Sequence, residues 1–473
     1  MPIALRLLAQ SKQALTIDSR ILLVADALRR HKSAEAIGYL AASGGNANLS
    51  FWEPLVRAWD AVDRRDASSA LAALSGVPRT SAFAPFVDEE TAFVLIKLRR
   101  TADAEPYARR GIGSAGSREY RVRLALAGGF AAAGDRPRAL AMLDGISGDT
   151  SVVRSALDAG RLKGLAIDDA PSAFSDQLVA LALEMRRSDR SPDDVLDIVQ
   201  VARFADPDSS SALILLGNVL GEEGRLEDSL AAFRAVPALD PLKGEALDAE
   251  ARALTGAKRL DEAFALAQAA ASAAGATSDD FARLGDVENA MNRFNEAAAA
   301  YGQALQHIPN PTNAQQWPLL LLQASALQSA GRWPEAKAAL ASAIAMAPNE
   351  PLVLNFLGYA KLQHGEDLDV AEGMIRKASA LAPDDASITD SLGWALFKRG
   401  RIDEAIDTLQ KAAIGDPAQA EIQEHLGDAL YSAGRKFEAR FAWSAALATA
   451  DEDESARIKN KLETGLTHAT AAP

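Results

Sequence analysis

The sequence predicts an all-α protein, organised as an α-solenoid in which antiparallel helix pairs follow one another along the chain. Three observations support this fold class. The 473 residues are 48% hydrophobic and only 6% aromatic, with alanine prominent throughout, and alanine is the strongest helix former. A pattern of small residues repeats along the chain with a period of about 34 residues. A proline recurs near the end of most of these units, where it stops the second helix.

A small residue marks the first helix of each unit, and we call it the first marker. It recurs after one period from Gly393 to Gly427, and after two periods from Gly217 to Gly285. The step from Gly285 to Ala324 is longer because it contains the insertion "IPNPTNAQQWP". Small residues let two helices approach closely where they cross, so the marker predicts the inner face of each pair. From residue 217 onwards the first markers are Gly217, Ala251, Gly285, Ala324, Gly358, Gly393 and Gly427.

A second small residue follows the first marker by twelve residues, or by thirteen in one unit, and marks the second helix. A turn separates the two helices and is often Gly-Arg, as in Gly400-Arg401, because glycine readily adopts the left-handed conformation that ends a helix. Acidic residues such as Asp403 then suit the start of the second helix and its dipole. The second markers are Ser229, Ala263, Ala297, Ala336, Ala371, Ala405 and Ala439.

The N-terminal half keeps the same period with weaker motifs. Its second markers are Ala36, Ala70, Ala104 and Ala139, and twelve residues before them lie Val24, Ala58, Ala92 and Ala127. The next first marker lies near Leu183, which leaves extra residues around "GRLKGLAIDDAPSAFSD". We therefore predict degenerate repeats over 1–150 that start in the middle of a repeat, and an irregular connecting segment over 151–175. A repeat array over 176–466 and a disordered tail over 467–473 complete the predicted organisation.

The repeat "LGWALFKRGRIDEAIDTLQKAAIGDP" resembles the tetratricopeptide repeat at nearly every diagnostic position. The resemblance implies a right-handed superhelix, and the markers give about twelve repeats. The block from Pro351 to Leu447, with its "DSLGW" and "HLGD" phrases, also looks like the C-terminal part of bacterial cell-envelope proteins of this family. Members of that group often act as adaptors for other proteins.

Composition and motifs exclude several other functions. The net charge of −14 and the pI near 5.0 disfavour nucleic acid as a partner, and the chain has no cysteine and no apolar run long enough to span a membrane. "GIGSAG", at Gly111, Gly113 and Gly116, follows a helix rather than a strand, so we interpret it as a loop between repeats and not as a nucleotide-binding motif. The five histidines are scattered. The sequence thus predicts no catalytic, cofactor-binding or metal-binding residue, and no enzyme, with an unrecognised site between Ala127 and Leu183 as the remaining alternative.

In this repeat family the first helices line a concave groove, through the positions three residues before, one after and four after the first marker. We call these the groove positions. Aromatic residues stand beside carboxylates there in the last three units, which suits a protein or peptide partner with apolar and basic side chains. The alternative is that Trp394 and Tyr359 pack between helices. The predicted protein-binding groove consists of Asn355, Tyr359, Asp390, Trp394, Phe397, Glu424, Asp428 and Tyr431.

The leading functional hypothesis is a non-enzymatic scaffold or adaptor that binds partner proteins or peptides in this groove. The alternative is a structural or assembly protein that self-associates through the ends of its solenoid. The stretch "IALRLLAQSKQAL" fits the second helix of an earlier repeat, so we expect the reading frame upstream of Met1 to encode the missing first helix and an export signal. The chain as written shows no such signal and is cytoplasmic by default, whereas the resemblance implies the periplasm or cell envelope.

Overall fold

The structure is a computed structural model, and it describes residues 2–10, 16–41, 49–146, 150–160, 165–188, 190–309, 311–467 and 472. The chain divides into two compact units, Met1–Met291 and Asn292–Pro473. In the described residues the regular structure consists of helices, without a β-strand, which confirms the predicted all-α fold. None of the described helices is both long enough and apolar enough to cross a membrane.

The first unit contains helices α1 to α17, most of them joined as antiparallel neighbours by short turns. They are α1 (Pro2–Gln10), α2 (Ile17–Arg29), α3 (Ser33–Ala41), α4 (Glu53–Asp63), α5 (Ala67–Ser75), α6 (Val87–Lys97), α7 (Thr101–Ser114), α8 (Glu119–Ala132), α9 (Arg136–Leu143), α10 (Ser151–Asp158), α11 (Ala170–Arg187), α12 (Pro192–Ala205), α13 (Ser210–Glu222), α14 (Leu226–Arg234), α15 (Lys243–Gly256), α16 (Leu260–Ala271) and α17 (Ser278–Ala290).

The second unit contains helices α18 to α27 and ends with a helix that follows the last complete repeat. They are α18 (Phe294–Gln306), α19 (Asn313–Ser329), α20 (Trp333–Met346), α21 (Pro351–Gln363), α22 (Leu368–Leu381), α23 (Ala386–Lys398), α24 (Ile402–Gly415), α25 (Ala420–Ser432), α26 (Lys436–Thr449) and α27 (Glu452–Thr464).

The turn inside the repeat has the same geometry in the eleven repeats whose first markers are named above. The residue seven positions after the first marker has a positive φ, between 53° and 83°, whether or not it is glycine. In the first three repeats this residue is histidine or arginine, although a left-handed conformation costs a non-glycine residue roughly 1–2 kcal/mol. The register read from the sequence therefore holds in the weak N-terminal repeats as well. These residues are His31, Arg65, Arg99, Gly134, Gly224, Lys258, Asn292, Gly331, Gly365, Gly400 and Gly434.

The marker positions lie where the paired helices cross most closely. The second markers, from Ala36 to Ala439, are fully buried. At Gly427 a Cβ atom would lie 2.3 Å from the Trp443 ring, and at Gly217 it would lie 2.4 Å from the Phe233 ring. Each ring stands four residues after the second marker of its repeat, so one large side chain fills the space left by one glycine. The spacing of the sequence predicted the small residues at these crossings but not their large partners.

A recurring ion pair accompanies the start of the second helix. The arginine of the Gly-Arg turn bonds to the acidic residue three positions later: Arg401 Nε lies 2.7 Å from Glu404 Oε1, and Arg225 Nη2 lies 2.6 Å from Asp228 Oδ2. Because these pairs are exposed to solvent, which screens their charges, they contribute little to stability. They do explain why arginine accompanies glycine in these turns.

Three parts of the sequence interpretation differ from the structure or lie partly outside it. Gly111 and Gly113 lie inside α7 rather than in a loop, and a Cβ at Gly111 would lie 3.0 Å from Glu89, so this glycine allows α6 and α7 to approach closely. The segment 151–175, expected to be irregular, contains α10 and the start of α11. The predicted tail, 467–473, lies outside the described residues except for Thr467 and Ala472.

Candidate functional site

The predicted groove residues of the last three repeats lie close together, but half of them are inaccessible to solvent. Trp394 and Asp428 are 0% exposed, Glu424 is 1% exposed and Asp390 is 5% exposed. Asn355, Tyr359, Phe397 and Tyr431 are partly buried. Whether these eight residues bind a partner stays a prediction, but four of them are not exposed in this structure.

Helix α27 supplies the cations that pair with the last two groove carboxylates. Lys461 Nζ lies 2.6 Å from Glu424 Oε1 and 2.7 Å from Asp428 Oδ2, and Arg457 Nη2 lies 2.7 Å from Glu424 Oε2. Burial disfavours the charge on Glu424, but the hydrogen bonds from Arg457 and Lys461 outweigh it and lower the pKa of this carboxyl. These carboxylates are therefore bound within the chain.

One residue near the chain terminus also contacts this region. The backbone N–H of Ala472 donates to Asp428 Oδ2 over 3.1 Å, and Ala472 is buried in an apolar cluster with Leu362 and Trp394. Trp443 Nε1 donates to the other oxygen of Asp428 over 2.9 Å. Asp428 is thus an internal hydrogen-bonding centre of the last repeat.

His425 connects the groove positions of two successive repeats. Its ring is fully buried, stacks on Trp394 at 4.0 Å between centroids, and places Nδ1 2.9 Å from Asp390 Oδ2. Burial lowers the pKa of His425, but the charge of Asp390 and its hydrogen bond outweigh burial and raise the pKa above its usual value. The hydrogen bond between His425 and Asp390 therefore links α25 to α23.

Tyr359 extends this network by a further repeat. Its hydroxyl donates to Glu421 Oε1 over 3.1 Å. Burial, together with the carboxylates of Glu421 and Asp390, raises the pKa of Tyr359 well above its usual value, so the hydroxyl stays protonated and acts as a donor. The predicted groove aromatics thus serve as contacts between helices, which was the alternative considered for Trp394 and Tyr359.

The role of Lys461 was not predicted, although one signal for it was present, and for His425 only a surface or inter-helix role was predicted. Lys461 follows Gly427 by one repeat period, so α27 occupies the register of another first helix, with lysine in place of the small marker. Lysine at that position is incompatible with a close helix crossing and indicates a buried carboxylate nearby. No comparable signal pointed to His425.

Except for the partly buried Ala131, the groove positions of the four N-terminal repeats are also buried, and most of them are apolar. Helix α11 packs against the first helices α2 and α4, and its Gln177 donates to Glu90 on α6 over 3.1 Å. Trp59, a groove residue of α4, donates to the other oxygen of Glu90 over 3.3 Å. The buried groove residues are Ile21, Ala25, Leu28, Leu55, Trp59, Val62, Glu89, Phe93, Ile96, Leu124 and Gly128.

The carboxylate of Glu89, at a groove position of α6, lies near helix α11. Glu89 is fully buried and pairs with Arg118 Nη1 over 2.9 Å. Burial raises the pKa of Glu89 to about 7, and the nearby Asp176 of α11 contributes in the same direction, while Arg118 opposes the shift. The groove positions of the N-terminal repeats are therefore part of the chain's own core.

The groove positions of α15 and α17 are different, because they border an open cleft. The cleft has a volume of about 300 Å³ and includes Asp248, Arg252 and Thr255 from α15, and Ala282 and Asp286 from α17. Asp248 Oδ1 lies 2.5 Å from Nε of the buried Arg283. Burial raises the pKa of Asp248, and the Arg283 charge opposes that shift. Arg252 is exposed.

Within the described residues, no group of three or more histidine, aspartate or glutamate side chains is placed to hold a metal ion. The cleft between α15 and α17 offers charged groups of both signs and a polar hydroxyl on a concave surface. Such an arrangement suits noncovalent recognition of a polypeptide segment.

Family models match two stretches of the chain. A tetratricopeptide repeat model matches residues 321–386, and a TPR repeat model matches residues 393–434. No curated protein sequence matches the chain significantly.

Several solved structures are similar to this chain at low sequence identity. One chain from the crystal structure of the APC/C hetero-tetramer Cut9–Hcn1 matches at 18% identity. The match covers 98% of this chain and 98% of that chain, with a TM-score of 0.42. A tetratricopeptide repeat protein from Parabacteroides merdae matches at 17% identity, over 55% of this chain and 99% of its own, with a TM-score of 0.44. The Thermus thermophilus protein TTC0263 matches at 24% identity, over 40% of this chain and 100% of its own, with a TM-score of 0.35. At these scores the likenesses carry no argument about function.

The recurrent turn geometry, the buried small markers and the two family-model matches lead to one conclusion: this chain contains tetratricopeptide repeats.

Proposed function

We propose that this chain is a non-enzymatic scaffold that binds a partner protein in the open cleft between α15 and α17. One observation carries the proposal. The groove positions of α15 and α17 border open space, whereas those of the N-terminal repeats are buried and those of the last repeat are paired with α27. A partner segment can therefore enter the cleft without displacing a helix of the chain.

The chemistry of the cleft indicates the kind of segment that fits. Asp248, Asp279 and Asp286 border it together with Arg252 and Arg283. The negative charge of the carboxylates that border the cleft favours a basic side chain of the partner, and the exposed Arg252 can bond a carbonyl or carboxylate of the partner. An extended segment that carries a basic side chain meets both requirements. The net charge of −14 also favours the approach of a basic partner.

The experiment places a photo-crosslinking amino acid at Thr255 inside the cleft, with a matched control at the exposed Phe437 on α26. Crosslinking is carried out in the source cell, and the products are identified by mass spectrometry. We expect a partner protein that crosslinks from position 255 and not from position 437. Arg252→Ala should weaken its capture, whereas the exposed Arg440→Ala should not.

Each outcome decides between the hypotheses. If position 255 crosslinks to a second copy of this chain, self-assembly replaces the scaffold function. If a partner crosslinks from position 437 alone, the cleft is not the binding site. If no protein crosslinks from either position, the proposal is wrong.

A further inference from the structure

A second cavity in the first unit lies away from the groove positions and has a different character. It has a volume of about 510 Å³ and lies between α2, α12, α13 and α14. Ligand-binding sites in proteins typically have volumes of about 300–1,000 Å³, so the cavity can hold a small organic molecule. Its lining includes Arg29, Arg203, Phe204, Leu216, Leu220 and Arg225.

The polar part of the cavity carries a positive charge. Arg225 is balanced by Asp228, whose Oδ2 lies 2.6 Å from Arg225 Nη2. In the described part of the chain, no carboxylate lies within ion-pair distance of Arg29 or Arg203. The guanidinium of Arg29 lies 4.5 Å from the centre of the Phe204 ring, which fixes this cation beside the cavity. Two positive charges therefore remain without an acidic partner.

The remaining wall of the cavity is apolar. Leu216, Leu220 and Ala232 are buried core residues whose surfaces border the cavity, and Phe204 is partly buried beside them. An anion with no apolar part would leave this wall in contact with water. An apolar molecule without a charge would leave both arginines unpaired. The two walls together require a ligand with an acidic head and an apolar body.

We propose that this cavity binds a small organic anion with an apolar chain, with its carboxylate between Arg29 and Arg203 and its chain against Leu216 and Leu220. The site is independent of the cleft between α15 and α17. The net charge of −14 repels anions from the protein as a whole, so saturable binding of such an anion requires a local cationic site.

The experiment titrates the full-length protein with butyrate, hexanoate and octanoate by isothermal titration calorimetry, with 1-octanol as the uncharged control. We expect saturable binding at one site, with affinity rising about fourfold for each added methylene group. Octanol should bind at least about tenfold more weakly than octanoate, because it lacks the charge-assisted hydrogen bonds to arginine.

Variants separate this site from nonspecific binding. The double variant Arg29→Gln/Arg203→Gln should lose at least about tenfold in octanoate affinity. The matched control Arg79→Gln/Arg190→Gln, at two exposed arginines away from the cavity, should bind as the parent does. Ala231→Phe fills the cavity from an exposed helix position and should block binding with both arginines retained.

Circular dichroism melting shows whether each variant folds. If the arginine variant does not fold, the outcome with Ala231→Phe decides. The proposal is overturned if octanoate shows no saturable binding, if octanol binds equally well, or if the folded variants keep the parent affinity.

Discussion

The groove positions of the N-terminal repeats and those of α15 and α17 occupy the same places on equivalent helices, yet their surroundings are opposite. In the N-terminal repeats these positions include Leu55, Trp59 and Phe93, and they are buried. On α15 and α17 they include Arg252 and Asp286, and they border an open cleft. The comparison shows that the residue types at the groove positions indicate what packs over them. Apolar residues there indicate a helix of the chain itself, whereas charged residues indicate water or an exchangeable partner.

The last repeat is an intermediate case. Its groove positions are charged, which by composition suggests an open groove, but α27 and Ala472 cover the charges. Buried carboxylates without a matching cation would destabilise the fold, so the covering helix must supply that cation.

The largest expected effect is at Trp394. Because its ring is fully buried between His425 and Phe397, Trp394→Ala should destabilise the second unit by about 3–5 kcal/mol. Chemical denaturation followed by circular dichroism measures this change. A variant with unchanged stability would mean that the ring is exposed in solution and would restore Trp394 as a groove residue.

Removal of the lysine of α27 should be nearly as severe. Lys461→Met leaves Asp428 buried without its cation, and we expect a loss of about 3 kcal/mol, since Arg457 still pairs with Glu424. The exposed Lys459→Met is the matched control and should change stability by less than about 0.5 kcal/mol. Equal stability of the two variants would show that α27 does not cover the last repeat.

A smaller loss of stability is expected at Gly427, and it tests the repeat register from which the groove positions were assigned. Gly427→Ala brings a Cβ within 2.3 Å of the Trp443 ring, so overpacking should cost about 1–3 kcal/mol. Gly373→Ala, at an exposed position of α22 with open space around it, should instead stabilise the protein by about 0.5–1 kcal/mol. If both substitutions had the same sign, Gly427 would not lie at the helix crossing.

The smallest expected effect is the pH dependence from His425. Its pKa is raised in the folded protein, so its contribution to stability is complete below the unfolded value of about 6.5 and is lost as the pH rises through the folded value. The parent should therefore lose more stability between pH 6 and pH 9 than His425→Gln does. His307→Gln, an exposed control, should follow the parent. Parallel losses in all three proteins would exclude a protonated His425 between α23 and α25.

Much of the architecture was predictable because it depends on local spacing. A small residue at a helix crossing and a left-handed residue at a turn recur at fixed intervals, and this periodicity survives where glycine is replaced, as at Arg65 and Arg99. The eight-residue groove was harder to predict. The sequence placed Trp394 and Asp428 on the correct helix face, but exposure depends on what packs over that face.

The sequence by itself determined the helix pairs, their register and the close crossings, because each of these follows from contacts between residues at most a few turns apart. Only the tertiary structure decided which groove positions stay open. Helix α11 fills the N-terminal positions by packing against α2 and α4, although Ala170 lies more than a hundred residues after both helices. Likewise, Lys461 neutralises Asp428 only because α27 packs in the register of a further repeat. Such contacts join distant segments, and no local period encodes them.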